Sequence, residues 1–167
     1  MACGQDHCLA VCASGHVFSW GAAEDGQLGM LPNPLRPSCG EAHSAVLTKD
    51  GKVFTFGEGR HGQLGHNSSA NEVKPTLVDG LDGPASQIAC GRRHTLVLGS
   101  SGQLWAFGNG VKGQIETGQT EDSLTPTLVQ LPWTADSAAA IPNLRISAGW
   151  NTNFAYSSPV QVTCEII

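Results

Sequence analysis

The sequence predicts an all-β fold built from repeated units, and three observations carry that reading. Its 167 residues hold 21 Gly and 9 Pro, too many for a helical protein and without the three-residue period of collagen, so they mark frequent turns between short strands. Ser14-Gly15, Asp50-Gly51 and Ser101-Gly102 each separate two short apolar runs, the pattern of a tight hairpin with positive φ at its turn. The hairpin recurs in successive copies that align without a gap, which is the signature of a repeat architecture. A hydrophobic content of 40% is enough to bury a core.

Each copy opens with Cys-Gly-x-x-His: Cys3, Gly4 and His7; Cys39, Gly40 and His43; Cys90, Gly91 and His94. A fourth, degraded opening stands at Ala148-Gly149. The predicted strands are residues 8–12, 44–47 and 95–98 before the turns and residues 17–20, 53–56 and 104–107 after them. Their apolar residues fall on both faces, as expected for a small sheet sandwiched between two neighbours. Each second strand ends in an aromatic residue followed by glycine. Gly-Gln-Leu-Gly then follows at residues 26–29 and 62–65, while the third copy reads Gly113-Gln114-Ile115-Glu116. A turn that needs its last glycine is expected to be altered there.

The openings at Cys3, Cys39, Cys90 and Ala148 stand 36, 51 and 58 residues apart. From Gly29 to Cys39 is 10 residues and from Gly65 to Cys90 is 25, so the first copy lacks 15. The missing stretch corresponds to Pro75, Thr76, Leu77 and Val78, read as an outer strand. Its loss should leave an open pairing edge or poor packing against the neighbour. The third copy keeps Pro126, Thr127, Leu128 and Val129 and adds residues around 132–140, expected as a surface loop. The expected organisation is repeats over 1–157, comprising a shortened copy (3–38), a regular copy (39–89), an enlarged copy (90–147) and the start of a fourth (148–157), followed by a tail (158–167).

Cys-Gly-x-x-His, the turn glycine, Trp/Phe-Gly and Gly-Gln-Leu-Gly, recurring at about fifty residues, resemble the repeat of the RCC1 superfamily over residues 3 to about 155. The resemblance implies a β-propeller that usually closes with seven blades. About three and a part of those seven are present, so the chain is expected to be a fragment or a shortened isoform. Residues 39–97 most resemble the RCC1-like domain of the small HERC ubiquitin ligases. In that family the propeller precedes a HECT domain whose catalytic cysteine carries ubiquitin as a thioester. The tail at residues 160–167 is unlike a HECT start, and Cys164 lacks the neighbouring His and acid of a thiol nucleophile.

The functional expectation is a protein-interaction module: a HERC-like propeller piece that recognises partners or substrates for ubiquitination. It carries no catalysis of its own, because no paired carboxylates, phosphate-cradling loop or Ser/His/Asp arrangement stands out. The alternative is a guanine-nucleotide-exchange regulator of a small Ran-like GTPase. In exchange members of the family, residues of the opening motif lie near the Ran-binding face, and His7, His43 and His94 are the matching positions. Core packing of a small residue, with a histidine bonded to neighbouring backbone, is the structural reading of the same residues. The loops before Gly-Gln-Leu-Gly vary on a fixed frame, which suits recognition as well as ordinary solvation. Glu58, Arg60 and His61 are therefore candidate partner contacts, and Arg92 and Arg93 are treated alike.

A net charge of −5 with no Lys/Arg run argues against a nucleic-acid partner. No apolar stretch reaches the roughly 18 residues of a membrane span, and Met1 leads straight into repeat sequence, so a soluble cytoplasmic chain is expected, with the nucleus as the other compartment. Three of the six cysteines (Cys3, Cys39 and Cys90) recur at one repeat position, which favours reduced packing thiols over a disulfide scaffold. Cys3, His7, Cys8 and Cys12 are residue types that zinc uses. The later copies keep only the Cys and the His, so a shared structural reason is preferred, and neither metal nor cofactor is expected. Asn67-Ser68-Ser69 matches a glycosylation acceptor and is read as a loop.

Overall fold

The chain is described by a computed structural model at residues 1–14, 16–28, 34–115, 120–131 and 143–157, with backbone only at Pro34 and Leu35. Gly15, Gly29, Glu116, Cys164, the expected loop at 132–140 and the tail lie outside the described residues.

Short strands joined by glycine turns build four antiparallel sheets. The first holds β1 (Ala2–Cys3), β2 (His7–Val11) and β3 (Val17–Gly21) in that order. The second runs β4 (Pro34–Cys39), β5 (His43–Thr48), β6 (Val53–Gly57) and β7 (Glu72–Leu77). The third runs β8 (Ala85–Cys90), β9 (His94–Gly99), β10 (Leu104–Gly108) and β11 (Ser123–Leu128). The fourth holds β12 (Leu144–Ala148) and β13 (Asn153–Ser157). Among the described residues these sheets form four blades of a partial β-propeller, two of them four-stranded. The turns bear out the hairpin expectation where it can be seen, with φ of +79° at Gly51 and +90° at Gly102.

In β5 and β9 every residue is buried, because successive side chains point to opposite faces and each face meets another blade. Leu9 of the first blade packs with Val46 and Phe56 of the second. Leu47 and Val53 on the other face of the second pack with Val97, Trp105 and Phe107 of the third. Leu96, Leu98 and Ala106 pack in turn against Leu144, Ile146 and Ala155 of the fourth. Each blade thus has a leading face, toward the preceding blade, and a trailing face, toward the following one.

A blade does not begin at its Cys. The Cys ends the innermost strand of the sheet at β1, β4 and β8, and Ala148 takes its place at the end of β12. These inner strands were missed in the sequence because Arg36, Pro37, Ser38 and Gln87 break up their hydrophobicity.

The outer strands β7 and β11 fall on the two Pro-Thr-Leu segments, and no described residue pairs with the free edge of β3. A local sequence change accompanies that loss. At Gly59 and Gly110 a side chain would collide with the carbonyl oxygens of Ala70 and Glu121, which lead into the outer strands. The first blade has Ala23 at this position, and its methyl group occupies the path that the lead-in takes elsewhere.

Filling between blades should dominate stability. Leu96→Ala, at a residue 2% exposed between the third and fourth blades, is expected to cost about 2–5 kcal/mol. Phe18→Ala, on the solvent-facing side of the first blade, should stay within about 0.5 kcal/mol. Urea unfolding followed by tryptophan fluorescence checks the contrast, and equal losses would contradict it.

Candidate functional site: the axial mouth

Each Cys-Gly-x-x-His turn is locked by a hydrogen-bond relay into the next blade. His7 Nε2 lies 3.0 Å from Ser44 Oγ, and that hydroxyl donates to the carbonyl of Gln27 at 2.9 Å. His43 Nε2 lies 2.9 Å from Thr95 Oγ1, which donates to the carbonyl of Gln63 at 2.8 Å. His94 Nε2 lies 2.6 Å from Asn153 Oδ1, and Asn153 Nδ2 donates to the carbonyl of Gln114. Because each hydroxyl hydrogen is committed to a carbonyl, the histidine must carry its own hydrogen on Nε2. Asn153 fits the same scheme, since its Oδ1 can only accept.

The opposite ring nitrogen, Nδ1, is buried at all three histidines with no hydrogen-bond partner among the described residues. A charged ring would have nothing to stabilise its second proton. Burial lowers the His7 and His94 pKa values, and it takes His43, helped by its histidine neighbours, down to about 3. The glycine of the motif follows from the same packing, since a side chain at Gly40 would collide with the His43 ring. The histidine partner is therefore a side chain of the next blade, which in turn reaches backbone, where the sequence suggested a direct bond to neighbouring backbone.

The side chain of the Gly-Gln-Leu-Gly glutamine ties the variable loop into place. Gln63 Oε1 accepts from the His61 amide at 2.8 Å while its Nε2 donates to Glu58 at 3.1 Å. Gln27 and Gln114 likewise accept from the Asp25 and Lys112 amides. Loop ends are thus fixed while the exposed positions between them vary.

A second ladder runs around the propeller axis through the residue after each Cys-Gly. The Gln5 amide donates to the Glu41 carbonyl at 3.3 Å, Glu41 to Arg92 at 2.9 Å and Arg92 to Trp150 at 3.0 Å. One backbone frame therefore displays Gln5, Glu41, Arg92 and Trp150 side by side. They rim a concavity of about 260 Å³ whose floor is Cys3, Cys39 and Cys90. Burial pushes the Cys39 and Cys90 thiols up to about 12 and about 11, so these two stay neutral. Glu41 accepts from Arg92 at 2.9 Å and Arg93 at 2.7 Å, and the Arg92 bond foremost lowers its pKa. The Arg92 guanidinium stacks 4.8 Å from the centre of the Trp150 ring, leaving that indole 69% exposed.

The eight residues singled out in the sequence all lie at this end of the propeller, because the β4–β5 and β6–β7 connections emerge on the same side, with His43 opposite Gly57. They do not form one cluster. His7, His43 and His94 are buried in the relay. Glu58 is buried under exposed Arg60, 3.3 Å away, and His61 pairs with Asp122 at 2.9 Å. Arg92 and Arg93 meet on Glu41. Sequence reasoning missed Glu41, Trp150 and Asp122. The signal for the first two was present: one repeat position occupied by Gln, Glu, Arg and Trp in turn. His7 and Cys8 lie on opposite faces of β2, the first bonded to Ser44 and the second beside Cys3, so they cannot share a metal ion.

The repeat geometry has a match among known families. The family model "Regulator of chromosome condensation (RCC1) repeat" matches residues 50–98 and 101–156, and a second model of that description matches 1–27 and 85–114. The chain belongs to the RCC1 repeat family. Among RCC1 proteins it is 38% identical over 169 residues to the human probable E3 ubiquitin-protein ligase HERC4, covering 94% of this chain and 13% of that protein. It is 45% identical over 139 residues to human HERC3, also a probable E3 ubiquitin-protein ligase, covering 82% and 10%. The chain thus spans a small part of the curated relatives it matches. The structure of human WBSCR16 aligns with a TM-score of 0.76 at 26% identity, covering 92% of this chain and 42% of that one. Prp20p of Saccharomyces cerevisiae aligns at 0.79 with 20% identity over the same shares, a likeness of fold alone.

The buried neutral histidines set a pH dependence. Between the ordinary histidine value of 6.5 and the folded value of about 3 for His43, the unfolded chain binds a proton that the folded chain does not. Stability is fully present above that window and is lost as pH falls through it. The unfolding free energy from urea titration should hold steady from pH 8 to 7 and drop from pH 6 to 5, by up to about 1.4 kcal/mol per pH unit for each such histidine, with the midpoint falling in step. A midpoint flat down to pH 5 would contradict the neutral relay.

Proposed function

We propose that this chain is a protein-interaction module, the RCC1-like part of a HERC-type E3 ubiquitin ligase, which recognises partners or substrates for ubiquitination and does no chemistry itself. The observation that carries the reading is the contrast at the mouth. The relay and the axial ladder repeat from blade to blade, while the side chains they display differ at every blade. Fixed backbone with varied, exposed side chains is how a scaffold presents a recognition surface. An exposed tryptophan beside an arginine supplies the residue types that dominate protein interfaces. Identity to two ubiquitin ligases over most of this chain favours that setting over nucleotide exchange, for which fold likeness to Prp20p is the support.

Affinity capture with the purified chain tests the reading. Trp150→Ala and Arg60→Glu should each deplete the captured proteins at least fivefold. Lys52→Glu, on a hairpin at the opposite end, should leave them unchanged. Fusing the chain to an active HECT domain should raise ubiquitination of those same proteins. Capture indifferent to both mouth variants would overturn the assignment, and faster nucleotide release from a Ran-like GTPase would favour the exchange reading.

A further inference from the structure

The first blade carries a second thiol where the next two blades carry a hydroxyl. Opposite the motif cysteine, Cys39 faces Ser44 and Cys90 faces Thr95, but Cys3 faces Cys8. The Ser44 and Thr95 hydroxyls are engaged in the histidine relay, whereas the Cys8 thiol is engaged within its own blade and donates to Cys3 Sγ at 2.7 Å. The backbone sets this contact. The Gly4 amide donates to the His7 carbonyl at 2.7 Å, which makes the adjoining pair, Cys3 and Cys8, a non-hydrogen-bonded pair of the antiparallel ladder. Such pairs hold their Cα atoms about 4.5 Å apart, inside the span of about 4.4–6.8 Å that a disulfide bridges. The two sulfurs can therefore be joined without moving the strands.

We propose that Cys3 and Cys8 form a reversible dithiol–disulfide pair at the floor of the axial mouth, oxidised by small peroxides. The mouth gives access along the axis, because Cys39 and Cys90, each with a blade on its preceding side, line the same floor as Cys3. Cys3 is the attacking sulfur, since it accepts the Cys8 hydrogen bond and so has a donor to steady its thiolate. The Cys3 thiolate attacks one peroxide oxygen and breaks the O–O bond, giving a sulfenic acid and releasing the other oxygen as an alcohol, or as water from hydrogen peroxide. Cys8 Sγ then attacks the sulfenic sulfur. The S–S bond forms, the S–O bond breaks, and the hydroxyl leaves as water with the Cys8 proton. The two electrons given up by the thiols reduce the peroxide, and exchange with a reducing thiol restores the pair. Cys39 and Cys90 have no thiol opposite them and are held protonated by burial, so the same chemistry passes them by.

Treating the folded chain with hydrogen peroxide, then alkylating it and mapping its peptides by mass spectrometry, tests this. The expected product is a Cys3–Cys8 cross-link with the intact mass lower by two hydrogens and restored by dithiothreitol. Alkylation of both thiols should fall by about tenfold or more, while Cys39 and Cys90 remain thiols. Cys8→Ser reproduces the pairing of Cys39 with Ser44 in the second blade and should keep the fold. In that variant oxidation should stop at a Cys3 sulfenic acid, trapped by dimedone, with no cross-link. Cys12→Ser, which removes the exposed thiol just past β2, should leave the Cys3–Cys8 bond unchanged. Cys3 and Cys8 still open to alkylation after peroxide, or a bond joining Cys3 to Cys12 or Cys39 instead, overturns the proposal.

Discussion

The bond from each buried histidine to the Ser, Thr or Asn of the next blade is the interaction on which the rest of the structure depends. It does three things at once. It fixes the Cys-Gly-x-x-His turn, it holds the neighbouring blade at one height and angle, and through the second bond to a glutamine carbonyl it anchors the loop carrying Gly-Gln-Leu-Gly. A hydrogen bond of this kind contributes only about 1 kcal/mol net. Leaving one member unpaired in a buried site costs more, so the relay specifies register as well as adding stability. The apolar faces supply the larger driving force, but apolar surfaces slide; the relay is directional.

The same constraint explains why the variable residues sit where they do. With the turn locked below and the axial amide ladder locked beside it, the third position of Cys-Gly-x-x-His can change without disturbing the blade. Gln5, Glu41, Arg92 and Trp150 occupy that position, and the chemistry of the mouth follows from them. Glu41 draws both arginines inward and leaves the Trp150 indole as the most exposed large aromatic surface there.

The all-β class, the hairpins and the outer strands were legible because each rests on local chemistry: turn glycines, apolar runs and the Pro-Thr-Leu segments. The inner strands were not, since they are held by position in the ring and tolerate Arg36, Pro37 and Gln87 within them. The importance of the histidines was visible from their repetition, but their partners, at a separation of 37 residues for His7 and Ser44, are set by blade spacing that no local pattern encodes. Glu58 and His61 read as exposed loop charges, and burial of Glu58 by Gln63 and pairing of His61 with Asp122 are tertiary facts. Ala23 is the converse case: a departure from glycine that makes sense only once the lead-in to the outer strand is seen to pass over that position in the other blades.

The protonation state of the histidines tests the central claim most directly. Long-range proton–nitrogen correlation spectra of the folded chain should show His43 as a neutral ring with the hydrogen on Nε2 at pH 5.5, and His7 and His94 with their hydrogen on Nε2 at pH 7.5. A His43 ring that is charged at pH 5.5, or that carries its hydrogen on Nδ1, would contradict the relay.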